Sequence, residues 1–365
     1  MSPDTATQIL ATERPNRSLG PVEVRPLRDA DEAAWENYVE RAPHATFFHR
    51  LGWRQIIERA LDHATRYRCA WRGRDLVGIL PLVHVKSHLF GDALISTAFT
   101  TGGGIVADDE AVAQALAGDA AELGQRFSVD FIELRQSAPL ALGAAWHAKT
   151  PLYFGFERAL AASDAENLKA IPRKKRADLR KAIDDRRLVT DAEAPVETFF
   201  GIYAESLRNL GTPVLPLRFY GAIKATFGDA VEISTVAGPE GPVAALMSFF
   251  FKDRALPYYG GAVPAARRLH AYDLVYWAQM QRAAARGVRV FDFGRSKRST
   301  GSFDYKTYWG FEPAALGYQY RLVQRADLPE INPLNPKYRL MVGTWRRLPL
   351  ALANRIGPVV ARQIA

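Results

Sequence analysis

From Val22 to Leu27 the chain reads "VEVRPL", a strand-like run. The next segment, "DADEAAWENYVERAP", sets Trp35, Tyr38 and Val39 at helical spacing behind an acidic start. A strand followed by a helix is the order this predicts. After "HATFFHRLGW" a second helix is expected through Leu61. "RCAWRGRDLVGILPLVHVKS" predicts two strands around the turn "RGRD", and a further strand pair separated by "FG" runs into "TTGGG". An Ala- and Leu-rich helix follows, and the strand "DFIELR", Asp130 to Arg135, closes the unit.

The same order returns later. "EISTVAGPEGPVAALMSFFFKDRALPYYGGA" reads as strand, turn, strand, turn, strand. "RLHAYDLVYWAQMQRAAARG" places Leu269, Tyr272, Val275, Tyr276, Met280 and Ala283 near one helix face, and "VRVFDFGR" is the closing strand. The two endings correspond, "VDFIELR" to Arg135 and "RVFDFGR" to Arg295. The pattern predicts a duplicated mixed α/β unit of antiparallel strands, one long helix and one returning strand. The expected boundaries are a disordered tail over 1–20, a first unit over 21–160, a basic helical connector over 161–190, a second unit over 191–325 and a helical extension over 326–365.

In the connector, "IPRKKRADLRKAIDDRRLV", Arg173, Arg176, Arg180 and Arg187 fall within a stripe of roughly 60° on one helix face. Leu179 and Ile183 flank the stripe and are expected to dock it, and a solvated linker is the alternative. Near the C-terminus "YQYRLV" reads as a last strand and "PEINPLNP" breaks the chain. Tyr338, Met341, Val342, Trp345, Leu348 and Leu352 then recur at helical intervals with basic residues between them. Pro349, Gly357 and Pro358 interrupt that segment. Packing onto the second unit is expected, with a lipid surface as the alternative.

Charge changes the picture in one respect. With 48 Lys and Arg against 39 Asp and Glu, the net charge is +9, which favours anionic partners: nucleic acid, nucleotide-sugars or anionic lipid. Cys69 is the single cysteine, so no disulfide framework or cysteine-based metal site forms within one chain, and the His residues lack zinc spacing. No metal is expected. The polar start has no signal architecture, and no apolar run approaches the ~20 residues that span a bilayer. A cytoplasmic location is expected, with the inner membrane face as a peripheral option.

Candidate chemistry concentrates in "FGRSKRSTGSFDYKTYWGF", residues 293–311, just past the second closing strand. Arg295, Ser296 and Lys297 supply donors suited to an anion, Arg above all through its two-pronged geometry; Arg295 pinned to a carboxylate such as Asp292 is the structural alternative. Gly301 and Ser302 permit close backbone approach. Tyr305, Tyr308 and Trp309 either wall a groove or pack in the core, with core favoured for Trp309.

This motif, together with "VGILPL", "TTGGG", "KKRADLRKA", "YAESLRNLGTP" and the duplicated units, resembles the FemAB-like proteins, most closely the subgroup associated with PEP-CTERM and exosortase exopolysaccharide systems. The resemblance covers roughly Val22 to Val323. It implies two tandem GNAT-like domains, each a mixed sheet flanked by helices, and N-acyl or aminoacyl transfer to an amine on a cell-envelope precursor. It places Lys306 at the family's Phe-Lys position, with an electrophilic role at the transferring group. It places Ser206, Arg208 and Tyr220 in the acceptor-binding region, Tyr258 and Tyr259 on the ligand-facing strand, and Gly103 in an approach loop. Arg176 and Arg180 are the connector's candidates for an anionic ligand. Fem proteins that use aminoacyl-tRNA often carry a long helical hairpin, and the connector is too short for one, so use of tRNA stays open. Acyl-CoA is disfavoured as donor, because "AARRLHAYDL", ahead of the second long helix, has no glycine to cradle pyrophosphate. The alternatives are an acyl-CoA-dependent GNAT N-acetyltransferase, and a non-catalytic basic protein that binds nucleic acid or an anionic membrane.

Overall fold

The computed structural model describes residues 20–87, 91–149, 152–329 and 336–364. The expected tail over 1–20 falls outside them but for Gly20, as does most of "PEINPLNP". The first unit opens with β1 (Glu23–Pro26), α1 (Glu32–Arg41) and α2 (Gly52–Ile56), which continues as a wider turn over Ile57–Leu61. Then come β2 (Ala64–Thr65), β3 (Arg68–Arg72), β4 (Asp75–Leu80), β5 (Leu82–Ser87), β6 (Gly91–Ser96) and β7 (Val106–Ala107). The long helix α3 (Glu110–Phe127) starts where the Asp109 side chain accepts from the Val112 N–H. The strands β8 (Phe131–Gln136), β9 (His147–Ala148) and β10 (Tyr153–Ala159) follow.

The helices α4 (Asp164–Ala170) and α5 (Arg173–Asp184) connect the halves. The second unit repeats the scheme with β11 (Val189–Asp191), α6 (Val196–Leu210), α7 (Leu217–Phe227), β12 (Val231–Gly238), β13 (Gly241–Phe251) and β14 (Arg254–Ala262). It continues through the short α8 (Ala266–Leu269), the long α9 (Ala271–Ala285), β15 (Val290–Asp292), β16 (Ser296–Lys297), α10 (Gly301–Tyr308), β17 (Pro313–Ala315) and β18 (Gly317–Leu322). Two helices end the chain, α11 (Pro336–Arg347) and α12 (Leu350–Ala361).

The sheets cut across the boundaries read from sequence. β10, in the first half of the chain, pairs antiparallel with β15, β16 and β17 in the second unit's sheet. β18, in the second half, pairs antiparallel with β8 along its whole length, Gly317 opposite Gln136 through Leu322 opposite Phe131. Each unit therefore lends its neighbour a strand, and the spans 21–160 and 191–325 do not each contain a closed sheet. The reason is local: a strand with both faces covered needs a partner edge, and the open edges beside β8 and β15 are each filled from the other half.

In each unit the strand that returns after the long helix runs parallel to an earlier strand of the same unit. β6 and β8 pair from Ala93 opposite Phe131 to Ile95 opposite Glu133, and β14 and β15 pair at Arg254 opposite Val290 and Ala255 opposite Phe291. β14 continues to Ala262 without β15, so its ladder is open on that side over the rest of its length.

The halves also share a core. Phe47 stacks on Phe249 at 4.5 Å and 10°, while Phe48 and Trp53 meet Phe249 edge-on. The glycine at 52 is required here, because a Cβ would lie 2.7 Å from the ring of Phe227. Apolar burial of this kind, at about 25 cal/mol per Å2, fixes one half against the other. The strand exchange and the shared core together set the seam where the candidate residues meet.

Candidate functional site at the seam of the two units

Four strands bring polar side chains to the seam: β8, β10, β14 and β18, joined by the segment that leaves β15. The chain turns out of β15 at Gly294, which adopts φ +70, and the Gly294 N–H donates to the Asp292 carboxylate at 2.8 Å. That bond takes the place of the expected Arg295–Asp292 pair. Arg295 turns the other way: its Nη1 donates to the Tyr318 hydroxyl at 3.1 Å, and its guanidinium lies 4.3 Å from the Tyr153 ring centre. Tyr153 and Tyr318 stand on the two exchanged strands with ring centres 5.0 Å apart. Among the described residues Arg295 meets no carboxylate. A half-buried guanidinium bonded to one phenol hydroxyl and lying against two tyrosine rings has no counter-charge in contact among the described residues.

Tyr258 faces the same space. It sits at a bulge, where Tyr259 opposes Met247 but Pro257 opposes Ser248, so the ladder skips it. Burial pushes its phenol up to about 12, against the opposing pull of Arg295 and a hydrogen bond with Thr101. It is a donor across the neutral range, not a base. Lys297 is lowered to about 8 by burial and then by the Lys149 and Arg295 charges.

Lys306 lies beneath this surface. Its Nζ donates to the carbonyls of Gly294 and Arg295 at 3.1 and 3.0 Å, and only 9 % of the residue is exposed. Burial lowers it to about 7, opposed by Asp292. The expected electrophile thus grips the backbone that carries Arg295 from below. The segment ends on α10, capped by Thr300, whose hydroxyl accepts from the Phe303 N–H.

The first unit holds a counterpart. Arg135, at the matching end of β8, reaches the same seam, within electrostatic range of Arg295 and Tyr318. Its Nε donates to Glu133 at 2.8 Å and its Nη1 to the Thr100 carbonyl at 2.6 Å. Arg135, Glu133, Tyr153 and Tyr318 were not singled out as site residues by sequence. The only signal was the correspondence of the two strand endings, which pointed at both arginines.

Other expected residues lie elsewhere. Tyr220 and Tyr259 are 1 % and 7 % exposed inside the aromatic core, with Tyr220, Tyr259 and Tyr203 in mutual edge-on contact, and neither faces the seam. Their apolar bodies decide their place. Ser206 and Arg208 lie on α6, Ser206 behind β14, where a Cβ at Gly261 would come within 3.1 Å of it. Tyr308 is exposed on α10, and the Ser302 hydroxyl is bonded to Thr300 at 3.0 Å. Ser296 is buried with no hydrogen-bond partner for its Oγ. Gly103 packs on Thr97, whose side chain would collide with a Cβ there. Trp309 is fully buried, as the core reading favours. On α5, Leu179 docks and Ile183 does not; Arg180 is exposed, Arg176 donates to the Lys169 carbonyl at 3.3 Å, and Arg187 lies beyond the helix, paired to Asp185.

One face of β14, along the stretch that β15 does not pair, is covered by rings. The hydroxyls of Tyr272 and Tyr276, 3.2 Å apart, lie against Gly260, where a Cβ would be within 2.6 Å of one and 2.8 Å of the other. Tyr305 closes the cluster and donates to Asp273 at 2.8 Å. Asp273 belongs to the first turn of α9, is 6 % exposed and is paired with Lys175 of α5. The N-terminal end of α9, the natural place for an anion, already holds a carboxylate of its own chain.

Among the described residues no cluster of His, Cys, Asp and Glu could hold a metal ion, and no helix is long and apolar enough to cross a membrane. Residues 168–307 match the family model of an acetyltransferase (GNAT) domain. Among curated proteins no sequence matches. Of solved structures, FemX is similar with a TM-score of 0.66 at 12% identity, over 88% of this chain and 100% of that one. A tandem GNAT protein from the clavulanic acid biosynthesis pathway is similar with a TM-score of 0.55 at 13% identity, over 84% and 100%. A conserved protein of unknown function from Bacteroides thetaiotaomicron gives 0.51 at 10% identity, over 83% and 100%. The fold is therefore mixed α/β with GNAT-type units in tandem, as in the tandem GNAT protein, and FemX shares the overall fold.

Proposed function

We propose that this protein is a FemAB-like N-acyl transferase whose working site is the seam face of the second unit. The observation that carries the reading is Arg295, a cation with no carboxylate partner, fixed by Tyr153 and Tyr318 and supported from below by Lys306. Such a group suits the anionic portion of an activated acyl donor. Transfer joins an acceptor amine nitrogen to the acyl carbon and breaks the bond to the leaving atom, which takes a proton as the amine loses one. Tyr258, protonated throughout, is suited to donate to the acyl oxygen as negative charge develops there. Lys306 acts through the Gly294–Arg295 backbone as a positioning residue.

The donor is proposed not to be coenzyme A. Tyr272, Tyr276 and Tyr305 crowd the face of β14 beside its unpaired stretch, and Asp273 with Lys175 occupies the start of α9, so the anion end of the helix is taken. An aminoacyl ester carried by tRNA fits better, with the exposed Arg173 and Arg180 of α5 as contacts along its backbone. The sequence resemblance extends the proposal to an amine-bearing envelope or exopolysaccharide precursor, of the PEP-CTERM-associated kind, as acceptor.

The test supplies radiolabelled aminoacyl-tRNA and acetyl-CoA in turn, with an amine-bearing nucleotide-linked envelope precursor. Acid-stable label in the acceptor from tRNA, absent with Arg295→Ala, is the expected result. Efficient transfer from acetyl-CoA would replace the donor assignment. Label from neither would remove this acceptor class.

A further inference from the structure

The last helix, α12, is amphipathic in an inverted sense. α12 turns its small residues inward: Ala353, Gly357 and Ala361 are buried, and Gly357 sits where a Cβ would lie 3.3 Å from the Val214 carbonyl. Its large apolar residues point out, with Leu352 44 %, Ile356 36 % and Val359 60 % exposed. At 100° per residue these three span roughly 60° and lie opposite the buried face. Packing onto the second unit is thus real but uses the wrong face for a helix that only needs to bury hydrophobic surface. On α11, Val342 packs against Gly211 while Leu340 and Met341 are 79 % and 51 % exposed. Half of the ten large exposed apolar side chains among the described residues lie on these two helices, within residues 340–359.

Charge says what covers it. From Pro336 to Ile364 the chain has six Lys and Arg and no Asp or Glu. Arg339, Arg347 and Arg355 are exposed, and Arg355 falls roughly 60° from Leu352 on the helix, at the edge of the apolar stripe. The surface continues beyond the stripe. Val359 and Arg362 border a cavity of about 250 Å3, and Arg362 also borders a second of about 410 Å3 that receives Arg66, Lys86, His63 and His84, along with Asp62. The His63 imidazole, 2.8 Å from the Arg362 carbonyl, ties the end of α12 to this cavity.

We infer that α11 and α12 form a docking surface for an anionic phospholipid bilayer, with Leu340, Met341, Leu352, Ile356 and Val359 entering the interface and the arginines meeting headgroup phosphates. A second copy of the chain would bring like charges face to face without an acid to compensate them. Nucleic acid would use the arginines and leave the apolar stripe in water. Only an anionic interface complements both characters. The inference is independent of the transfer reaction, and fits an enzyme whose acceptor is lipid-linked.

The full-length protein is sedimented with vesicles of phosphatidylcholine and of an equal mixture of phosphatidylcholine and phosphatidylglycerol, at low and high salt. Binding to the mixed vesicles, weakened by salt and absent with phosphatidylcholine alone, is expected. The exposed-residue variant Leu352→Ser/Ile356→Ser/Val359→Ser should bind at least roughly tenfold more weakly, and Arg347→Glu/Arg355→Glu should abolish the preference for phosphatidylglycerol. No sedimentation of the wild type, or unchanged binding by both variants, would overturn the inference. So would a lipid-free dimer in analytical ultracentrifugation that the triple variant dissolves, because the patch would then belong to a second copy.

Discussion

The two units end their closing strands on equivalent arginines and treat them oppositely. Arg135 is 3 % exposed, neutralised by Glu133 and bonded to the Thr100 carbonyl; Arg295 is more open and touches only phenols and rings. Duplication supplied the same group twice, and the first copy became part of the framework that locks β8 to the loop after β6. The second kept its charge available. Compensation by a carboxylate, not the identity of the residue, separates a structural arginine from a candidate binding one. The family match over 168–307 falls on the unit with the uncompensated copy.

That contrast can be broken or sharpened. The largest effect concerns the support under Arg295. Lys306 is lowered in the folded protein to about 7 from an ordinary 10.5, so the unfolded chain binds the extra proton between those values. Stability from this group therefore rises with pH across that window, on the order of 5 kcal/mol in full. Urea unfolding from pH 7 to pH 10 should show wild type gaining on Lys306→Met; parallel curves would mean that the ammonium is not desolvated. Next comes Arg135→Ala, which strands Glu133 in the interior and should cost about 4 kcal/mol of unfolding free energy. The paired replacement Arg135→Met/Glu133→Met should recover most of it. Arg295→Ala should leave the urea midpoint close to wild type yet reduce transfer by roughly 100- to 1,000-fold. If Arg295→Ala unfolds the protein as Arg135→Ala does, the contrast fails. The smallest effect is Tyr258→Phe, expected to slow transfer about tenfold with an unchanged profile at neutral pH, since the phenol acts as a donor.

The residues made some of this legible and hid the rest for identifiable reasons. Local patterning revealed the elements, because burial imposes periods of two and 3.6 residues on strands and helices. The repeated endings at Arg135 and Arg295 pointed to duplication. The exchange of β10 and β18 was invisible, since a strand's own pattern says which face is buried and nothing about which distant edge it joins. Tyr153 and Tyr318 were missed for that reason. Tyr220 and Tyr259 are candidates only through the resemblance, which carries no information about the aromatic core that surrounds them. The motif singles out Lys306, but its grip on two carbonyls depends on the turn at Gly294. On α12 only Leu352 belongs to the periodic set, Gly357 and Pro358 read as interruptions, and the helix runs through both; which face turns inward depends on how closely Gly357 approaches Val214.

The most direct test of the second unit as a site for an anionic donor other than coenzyme A is calorimetric titration of the purified protein with acetyl-CoA. Asp273 and Lys175 at the start of α9, with Tyr272, Tyr276 and Tyr305 crowded against β14, predict no saturable heat at any of several temperatures. Saturable binding at micromolar concentration would contradict the account and make this an acyl-CoA enzyme.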